Sequence, residues 1–332
     1  MFIKFFKSSF FPQYLLIGII GAVLWFPAFL NPPPMPSPEG PVLLYSLLYD
    51  LLAATPLLAS ILGFILVCGE TYFFSQIINR NDLVVKNSSL SALVFMVLMS
   101  SLPEQLTLTP TTAALLFILI ILRQLLIIYS KPEHFDRVFA TGFFTALASF
   151  FYMPVLLWFG LIIVSFILFR SGVWREWIAA SIGLLTPFIY LSVYYLWNDE
   201  WLLRTSEYPD FFRRILFFPK LLNYDFWITE GIVLLLAIWG IVRLWMSSME
   251  KTVELRAKHN LIMWILVFTI LSFVYARSLA IYHPALATPA LAMIITYTLT
   301  SLRKTRFIEI LLLIFFLLMM INNYFIHTLF SS

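Results

Sequence analysis

The charged residues that could do chemistry in this chain are carboxylates and arginines placed between long apolar runs. Three of the acids, Glu39, Asp50 and Glu104, belong to segments predicted on the outer side of a membrane. A carboxylate within about 3 Å of an acceptor hydroxyl can act as a general base. The basic residues predicted on the same side are Arg204, Arg213, Arg214 and Arg277, with His283 nearby. Since a guanidinium bonds phosphate oxygens in pairs, this set predicts a phosphate-binding surface beside the acids. Taken singly, each residue is also typical of a solvated or interfacial loop.

Two further charges, Glu70 and Arg123, fall inside apolar runs. A charge at membrane depth costs about 2.5–3.5 kcal/mol on insertion scales, so it usually has a partner or a function. Their similar predicted depth favours an intramembrane polar pair, or side chains that reach the nearer membrane surface. An ion or proton path and a contact with substrate remain alternatives.

Composition defines the class of protein. The 332 residues are 61% hydrophobic and 11% charged, and the mean hydropathy is +0.94. Soluble domains carry about 25% charged residues. The sequence therefore predicts an all-α polytopic bundle that forms a single integral membrane domain over residues 1–332. The lipid bilayer is its expected partner, and loop arginines and lysines account for the net charge of +4 without a nucleic-acid partner.

Neither a metal centre nor a cofactor site is indicated by the motifs. Cys68 is the single cysteine, which excludes an intramolecular disulfide and a cysteine-based zinc site. The four histidines form no ligand cluster, and the chain has no phosphate-binding glycine loop. We expect no cofactor, with a divalent metal left open, and the sequence leaves the oligomeric state open.

Apolar runs, prolines and charges divide the chain into about eleven membrane helices. The predicted spans are Tyr14–Leu30, Pro56–Ile78, Leu90–Leu102, Thr111–Tyr129, a hairpin within Val138–Arg170, Trp177–Trp197, Phe226–Trp245, Leu261–Ala276, Pro284–Ser301 and Phe307–Ile326. Residues 31–55 are predicted to form an outer loop followed by a helix on the membrane surface. Residues 198–225 form the largest outer loop, whose mixed charges and aromatic rings also suit a surface helix.

The uncharged stretch Val138–Phe169 decides the orientation of everything after it. One helix of this length would reach roughly 48 Å, whereas a hydrocarbon core is about 30 Å thick. Pro154 interrupts the stretch, so it is either one kinked span or two short helices that double back. The hairpin places about 15 basic residues on the inner side against about 5 outside, whereas a single crossing gives about 11 against 9. We therefore predict the hairpin, a cytoplasmic N-terminus and a periplasmic C-terminus. The first apolar run has no cleavage pattern and is predicted to be a retained span.

Two resemblances bear on function. The segment GFFTALASFFYMPVLLWF (Gly142–Phe159) resembles the short helix pair of integral-membrane glycosyltransferases of the GT-C superfold. The segments NRNDLVVKNSSLSALVF (Asn79–Phe95) and REWIAASIGLLTPFIYLSVYY (Arg175–Tyr195) resemble an uncharacterised family of bacterial polytopic inner-membrane proteins. The second resemblance implies the bacterial inner membrane but brings no activity.

The GT-C resemblance implies a polyprenyl-phosphate-linked sugar as donor and an acid in the first outer loop beside a surface helix. Glu39 precedes such a helix and Asp50 lies on it, while Glu104 is the acid of the next outer loop. The first loop carries prolines where the superfold usually places paired acids.

Three hypotheses follow. The first is a glycosyltransferase-like enzyme of cell-envelope glycan assembly, with Glu39 or Asp50 as base, Glu104 as helper and the outer arginines around the phosphate. The second is a transporter or flippase of lipid-linked or hydrophobic solutes that uses Glu70 and Arg123 together with proline-broken helices. The third is a membrane scaffold subunit without chemistry of its own.

Overall fold

The architecture is that of an all-helical membrane bundle. A computed structural model describes residues 5–6, 8–84, 88–130, 135–169, 174–213, 227–247, 251–276, 281–301 and 305–326, and these contain no strand. Their helices are α1 (Phe11–Leu30), α2 (Leu43–Leu52), α3 (Pro56–Arg80), α4 (Leu90–Met99), α5 (Pro110–Ser130), α6 (Phe135–Ser149), α7 (Phe159–Phe169), α8 (Trp174–Trp197), α9 (Trp201–Arg213), α10 (Trp227–Met246), α11 (Val253–Phe273), α12 (Thr288–Ser301) and α13 (Thr305–Ile321). Short 3₁₀ turns cover Pro103–Gln105, Met153–Trp158 and His283–Ala287, and a π turn covers Asn322–Ile326.

Within the described residues, five helices are long and apolar enough to cross a membrane: α1, α3, α5, α8 and α11. Several shorter apolar helices accompany them, which confirms the prediction of a helical membrane protein. The prolines separate these elements where the sequence predicts. Pro56 is the first residue of α3, and Pro103 opens the turn between α4 and α5.

Two predicted boundaries differ from the structure. The basic segment before Leu261 was expected to be a loop, but α11 already begins at Val253. Thr252 caps this extension by accepting the Leu255 N–H at 3.3 Å, and Glu254 pairs with Lys258 at 2.7 Å one turn further on. The predicted span from Pro284 begins instead as the 3₁₀ turn His283–Ala287, and the α-helix follows at Thr288.

The first helices alternate in direction between two ends of the bundle, which we call the near end, where α1 begins, and the far end, where α1 stops. The Tyr14 and Ser75 hydroxyls are 2.8 Å apart near the start of α1, whereas the Phe29 ring packs on Phe64. Helices α1 and α3 are therefore antiparallel. The indole of Trp25 donates to the Ser100 hydroxyl at 3.0 Å, which places the end of α4 towards the far end.

The chain reverses direction between α6 and α8. A methyl group added at Gly142 would meet the Ala180 carbonyl, and one added at Gly183 would meet the Phe139 carbonyl, so the two backbones touch there. Further along both helices, the rings of Phe150 and Phe188 are 5.0 Å apart. Both helices thus run towards the far end side by side. The segment between them must run back, which agrees with the predicted hairpin and excludes a single kinked helix.

The second half of the chain closes the bundle. Trp158 donates its indole N–H to Ser272 at 3.2 Å, which holds the start of the returning segment against the end of α11. At the C-terminal side, the Asn322 amide donates to the Ser101 carbonyl at 2.8 Å. The Asn323 amide donates to the carbonyls of Leu24 at 3.2 Å and Ser100 at 2.9 Å. The last described helix therefore packs against α1 and α4.

The far-end loops share an apolar cluster, which we call the far-end cap. It joins side chains from the first loop, α2, α3, the turn before α5, the hairpin turn and α9: Met35, Val42, Tyr45, Leu52, Ala59, Leu108, Met153 and Phe211. The cap fixes segments that are remote in sequence on one surface, and it is the frame of the site described below.

The α6–α8 crossing gives a first prediction. We expect Gly142→Ala and Gly183→Ala each to cost about 1–3 kcal/mol, because the new methyl group meets backbone that cannot rotate away. The measurement is the midpoint of thermal unfolding in detergent.

Gly69→Ala is the matched control, since a methyl group at that position of α3 has no heavy atom within 4 Å. It should leave the midpoint unchanged or raise it, because alanine favours a helix over glycine by up to about 1 kcal/mol. Equal losses in all three variants would contradict a close crossing.

Candidate acid site at the far end

The loop between α1 and α2, predicted as the first outer loop, is bound to the bundle by hydrogen bonds. The buried Tyr45 hydroxyl donates to the Pro36 carbonyl at 2.7 Å, which folds the loop back on α2. The N–H groups of Leu44 and Tyr45 approach the Phe150 carbonyl at 3.2 and 3.3 Å, so the first turn of α2 rests on the end of α6. The Pro36 carbonyl lies in a loop and the Phe150 carbonyl follows the end of α6, so neither has a partner within a helix.

Glu39 lies at the end of this loop, partly buried, next to a glycine in the left-handed region. Gly40 has φ +77°, a conformation that side chains other than glycine's rarely adopt. The ring of Phe211 from α9 lies against the open face of Gly40, where a Cβ would be 2.6 Å from the ring. Gly40 thus lets the chain turn beneath α9 and sets the position of Glu39.

Tyr152 and His283 form the buried centre of the site. The Tyr152 hydroxyl lies 2.7 Å from His283 Nδ1, and His283 Nε2 lies 2.8 Å from the Thr269 carbonyl. A carbonyl can only accept, so Nε2 carries the proton and Nδ1 accepts from the tyrosine. His283 is 1% exposed, and burial lowers its pKa to about 4. The ring is therefore neutral and fully bonded.

The two loop acids approach this centre from opposite segments. Burial, and after it the nearby charge of Glu39, raises the pKa of Tyr152 well above its usual range. Burial, and after it the charge of Glu104, raises the pKa of Tyr282 to about 12. The Gln105 amide beside Glu104 reaches the Ile281 carbonyl at 3.4 Å. Since Tyr282 and His283 are consecutive, the two carboxylates border one tyrosine–histidine cluster. We call Glu39, Glu104, Tyr152, Tyr282 and His283 the acid site.

The other predicted residues of the outer face lie elsewhere or outside the described chain. Asp50 is exposed, and on α2 it faces away from the buried Tyr45 and Leu52. Arg204 is bonded within α9 to Glu200 at 3.1 Å and Glu207 at 3.3 Å, and the hydrogen bond from Glu200 raises its pKa. Arg213 is exposed at the last residue of α9, while Arg214 and Arg277 lie outside the described residues.

His283 differs from its predicted role. It was expected at the surface as part of a phosphate-binding set. The structure places it inside the bundle, with the rings of Tyr152 and Phe273 packed on it at 5.6 and 5.3 Å. Both ring nitrogens are engaged by protein groups, so its role in this structure is to hold Tyr152 and α11 together.

The predicted pair of Glu70 and Arg123 is not joined. Glu70 is fully buried and forms no ion pair among the residues the structure describes. Arg123 is exposed and its guanidinium lies over the ring of Phe73, 5.8 Å from the centroid. The two helices touch where Arg123 meets Phe73, but the carboxylate of Glu70 is buried while the guanidinium of Arg123 is exposed, and no ion pair joins them.

Tyr152 and Tyr282 are site residues that sequence reasoning missed. Tyr152 stands two residues before Pro154, at the predicted turn of the hairpin, and Tyr282 directly precedes His283. A buried tyrosine hydroxyl needs a partner, so a tyrosine at a proline-marked turn was the available signal.

Within the described ranges, no three His, Cys, Asp or Glu side chains lie close enough together to hold a metal ion. No family model, curated protein sequence or solved structure matches the chain.

The lowered pKa of His283 gives a second prediction. The unfolded histidine, with a pKa of about 6.5, takes up a proton at higher pH than the folded one. The stability from the neutral ring is thus fully present above about pH 6.5 and is lost progressively as the pH falls towards 4. Between pH 7.5 and 5 we expect a loss of about 2 kcal/mol from this residue.

The measurement compares unfolding midpoints of the wild type and His283→Gln at both pH values. Other groups titrate over this range in both proteins, so the difference between the two slopes reports on His283. The variant should show the shallower pH dependence. Identical slopes would contradict a buried neutral histidine at this position.

Proposed function

We propose that this chain is a multi-pass membrane enzyme of glycan assembly that uses a polyprenyl-phosphate-linked sugar at its far end. One observation carries the proposal: Glu39 and Glu104, from different loops, border one buried tyrosine–histidine cluster at an end of the bundle. Carboxylates from separate segments that lie near one buried polar cluster are typical of a site for proton transfer.

The proposal includes eleven membrane crossings, by all helices except α2 and α9. Contacts between neighbours support alternating directions in the second half of the chain too. For example, Gly240 of α10 packs near Ile294 of α12, and Arg243 bonds Ser301 at 3.2 Å, so these two helices run in parallel. Short helices such as α4 do not reach across a hydrocarbon core of about 30 Å. All ten residues of α4 are buried, and irregular backbone is tolerated at membrane depth where protein surrounds it.

The proposed orientation puts the acid site on the periplasmic side of the bacterial inner membrane. Basic side chains in the described residues gather at the near end: Arg80, Arg123, Arg137, Arg175, Arg243, Lys251, Arg256 and Lys258. At the far end they include Arg204 and Arg213 on α9. Since lysine and arginine collect in cytoplasmic loops, this asymmetry favours a cytoplasmic near end.

In the proposed reaction, Glu39 accepts the proton of an acceptor hydroxyl as the oxygen attacks the sugar carbon. The bond between that carbon and the phosphate oxygen breaks, and the lipid phosphate leaves with the electron pair. Glu104 would help to orient the acceptor. The phosphate would be bound by guanidinium groups, for which Arg213, Arg214 and Arg277 are the candidates predicted from the sequence, while Arg204 is paired within α9. Asp50 faces away from the cluster and has no role in this scheme.

A transporter is the alternative that a specific observation favours. Glu70 is a fully buried carboxyl group in a membrane-length helix, without an ion-pair partner among the described residues. Such residues are often parts of ion or proton paths. A transporter would lose function when Glu70 is neutralised, whereas the proposed enzyme would depend on the far-end acids.

The orientation can be tested by cysteine labelling. In a Cys68→Ser background, we expect Asp50→Cys at the far end to react with a membrane-impermeant maleimide on intact cells. Glu254→Cys at the near end, where the side chain is 51% exposed, should react only after the cells are lysed. Labelling of Glu254→Cys alone on intact cells would reverse the proposed orientation.

The activity can be tested with a radiolabelled polyprenyl-phosphate hexose in vesicles that contain the purified protein. With water as the substitute acceptor hydroxyl, the wild type should release the labelled sugar from the lipid fraction. Glu39→Gln should lower the rate by about 100-fold or more, the range of a lost general base, and Glu104→Gln should lower it less.

Asp50→Asn is the matched control, since it neutralises an acid at the same end of the bundle but on the exposed face of α2. It should stay within about two-fold of the wild type, and all variants should keep the wild-type unfolding midpoint. No release by the wild type with any hexose donor, or full activity of Glu39→Gln, would overturn the proposal.

A further inference from the structure

An open polar cavity of about 290 Å³ lies at the near end, between α5 and α6. Its lining consists of Arg123, Gln124, Asp136, Arg137 and Ala140. It is far from the acid site along the bundle, because α5 begins at the far end and Arg123 lies towards its last residue. The cavity therefore belongs to neither the proposed site nor the far-end cap.

Among the residues that the structure describes, no ion pair neutralises the charge of Arg123. It stands seven residues before the end of α5, or roughly 10 Å inside it, and its side chain is exposed. The contact recorded for its guanidinium is the face of Phe73 at 5.8 Å. No carboxylate of the described chain lies within ion-pair distance of it. A cation at this depth of a membrane is costly unless an anion or water reaches it.

Arg137 adds a second guanidinium to the same cavity. Its Nη1 donates to the amide oxygen of Gln124 at 3.4 Å, while its buried Nε has no acceptor among the described residues. An amide oxygen satisfies a donor but does not neutralise the charge. Asp136 also lines the cavity and contributes one carboxylate to it. The side chains of the cavity thus carry two positive charges and one negative charge.

We propose that this cavity binds the phosphate group of an anionic phospholipid. Two guanidinium groups can donate in pairs to the non-bridging oxygens of one phosphate, and inorganic phosphate offers the same chemistry. We assign the phosphate to a lipid because Arg123 is exposed on a helix long and apolar enough to cross a membrane, where its outer neighbour is the bilayer. Basic pockets between membrane helices recognise lipid headgroups in this way. The inference rests on the membrane bundle and not on the proposed glycosyl transfer.

The test uses the full-length protein in a neutral detergent with three additives: phosphatidylglycerol, phosphatidylcholine and inorganic phosphate. Lipid binding is measured by native mass spectrometry, and stabilisation by the unfolding midpoint from tryptophan fluorescence. A ligand that binds only the folded state raises the midpoint in proportion to its occupancy. We expect phosphatidylglycerol to bind and to raise the midpoint more than either other additive.

The variants are Arg123→Gln and Arg137→Gln, each expected to weaken phosphatidylglycerol binding at least ten-fold. Arg123→Lys should weaken binding less, because lysine keeps the positive charge but lacks the planar guanidinium that donates in pairs. Arg243→Gln is the matched control. Arg243 is also a near-end arginine over an aromatic ring, 5.7 Å from Trp239, and it bonds Ser301 rather than a carboxylate, but it does not line the cavity. It should bind the lipid as the wild type does.

The outcomes separate the possibilities. If Arg243→Gln and Arg123→Gln weakened phosphatidylglycerol binding equally, the lipid would be attracted by surface charge in general, and the proposed site would be wrong. Equal binding of the two lipids would overturn the anionic preference. Stabilisation by inorganic phosphate without lipid binding would reassign the cavity to a soluble phosphate. Variants are compared in phosphatidylcholine, where unchanged midpoints show that the substitutions leave the fold intact.

Discussion

The close parallel crossing of α6 and α8 is the constraint on which the rest of the structure depends. Gly142 and Gly183 let the two helices touch backbone to backbone while both run towards the far end. Two neighbours that run in the same direction require a return segment between them. The turn at Met153–Trp158 and helix α7 provide it, and Pro154 ends the preceding helix where that return begins. Every later helix has its direction because of this reversal.

The same reversal assembles the far end. Phe150 and Tyr152 follow the far-end terminus of α6 and are separated by one residue. The Phe150 carbonyl receives the first turn of α2, which brings in the loop with Glu39, and the Tyr152 hydroxyl bonds His283 in the segment that follows α11. Glu104 lies in the turn between α4 and α5, and this turn places it near Tyr282. Phe150 and Tyr152 of the hairpin thus connect the loop with Glu39 to the segment with Tyr282 and His283, and Glu104 lies beside that segment. The acid site would not exist if this segment crossed the bundle only once.

The order of these elements could be read from the sequence because their signals are local. Pro56 and Pro154 remove backbone donors, and the charge bias on either side of the uncharged stretch distinguishes a hairpin from one long helix. Topology alone also predicts that Glu39 and Glu104 lie at the same end of the bundle. The pairs of Arg204 with Glu200 and Glu207 were equally readable, since spacings of four and three residues place the side chains on one helix face.

Rotation about the helix axis could not be read in the same way. The depth of a residue in the membrane follows from its distance in residues from the helix end. The direction of its side chain around the helix axis depends on which helices pack beside it, and the sequence alone does not identify them. Glu70 and Arg123 were predicted at similar depth, yet one faces the interior and the other the exterior. For His283 the deciding contact is with Tyr152, 131 residues away, and no local pattern reports it.

The directions in which these side chains point leave charge compensated differently at the two ends of the bundle. On α9 at the far end, Arg204 is neutralised by acids of its own helix, and the tyrosine–histidine centre is satisfied by protein groups. At the near end, Arg123 and Arg137 have an aromatic ring and an amide as their recorded partners, which leave their positive charge in place. A cation at membrane depth is costly unless an anion or water reaches it, and the phospholipid proposed above would supply the anion. The composition of the membrane should therefore act on this protein at the near end, through α5 and α6, and α6 is also the helix that holds the acid site in place.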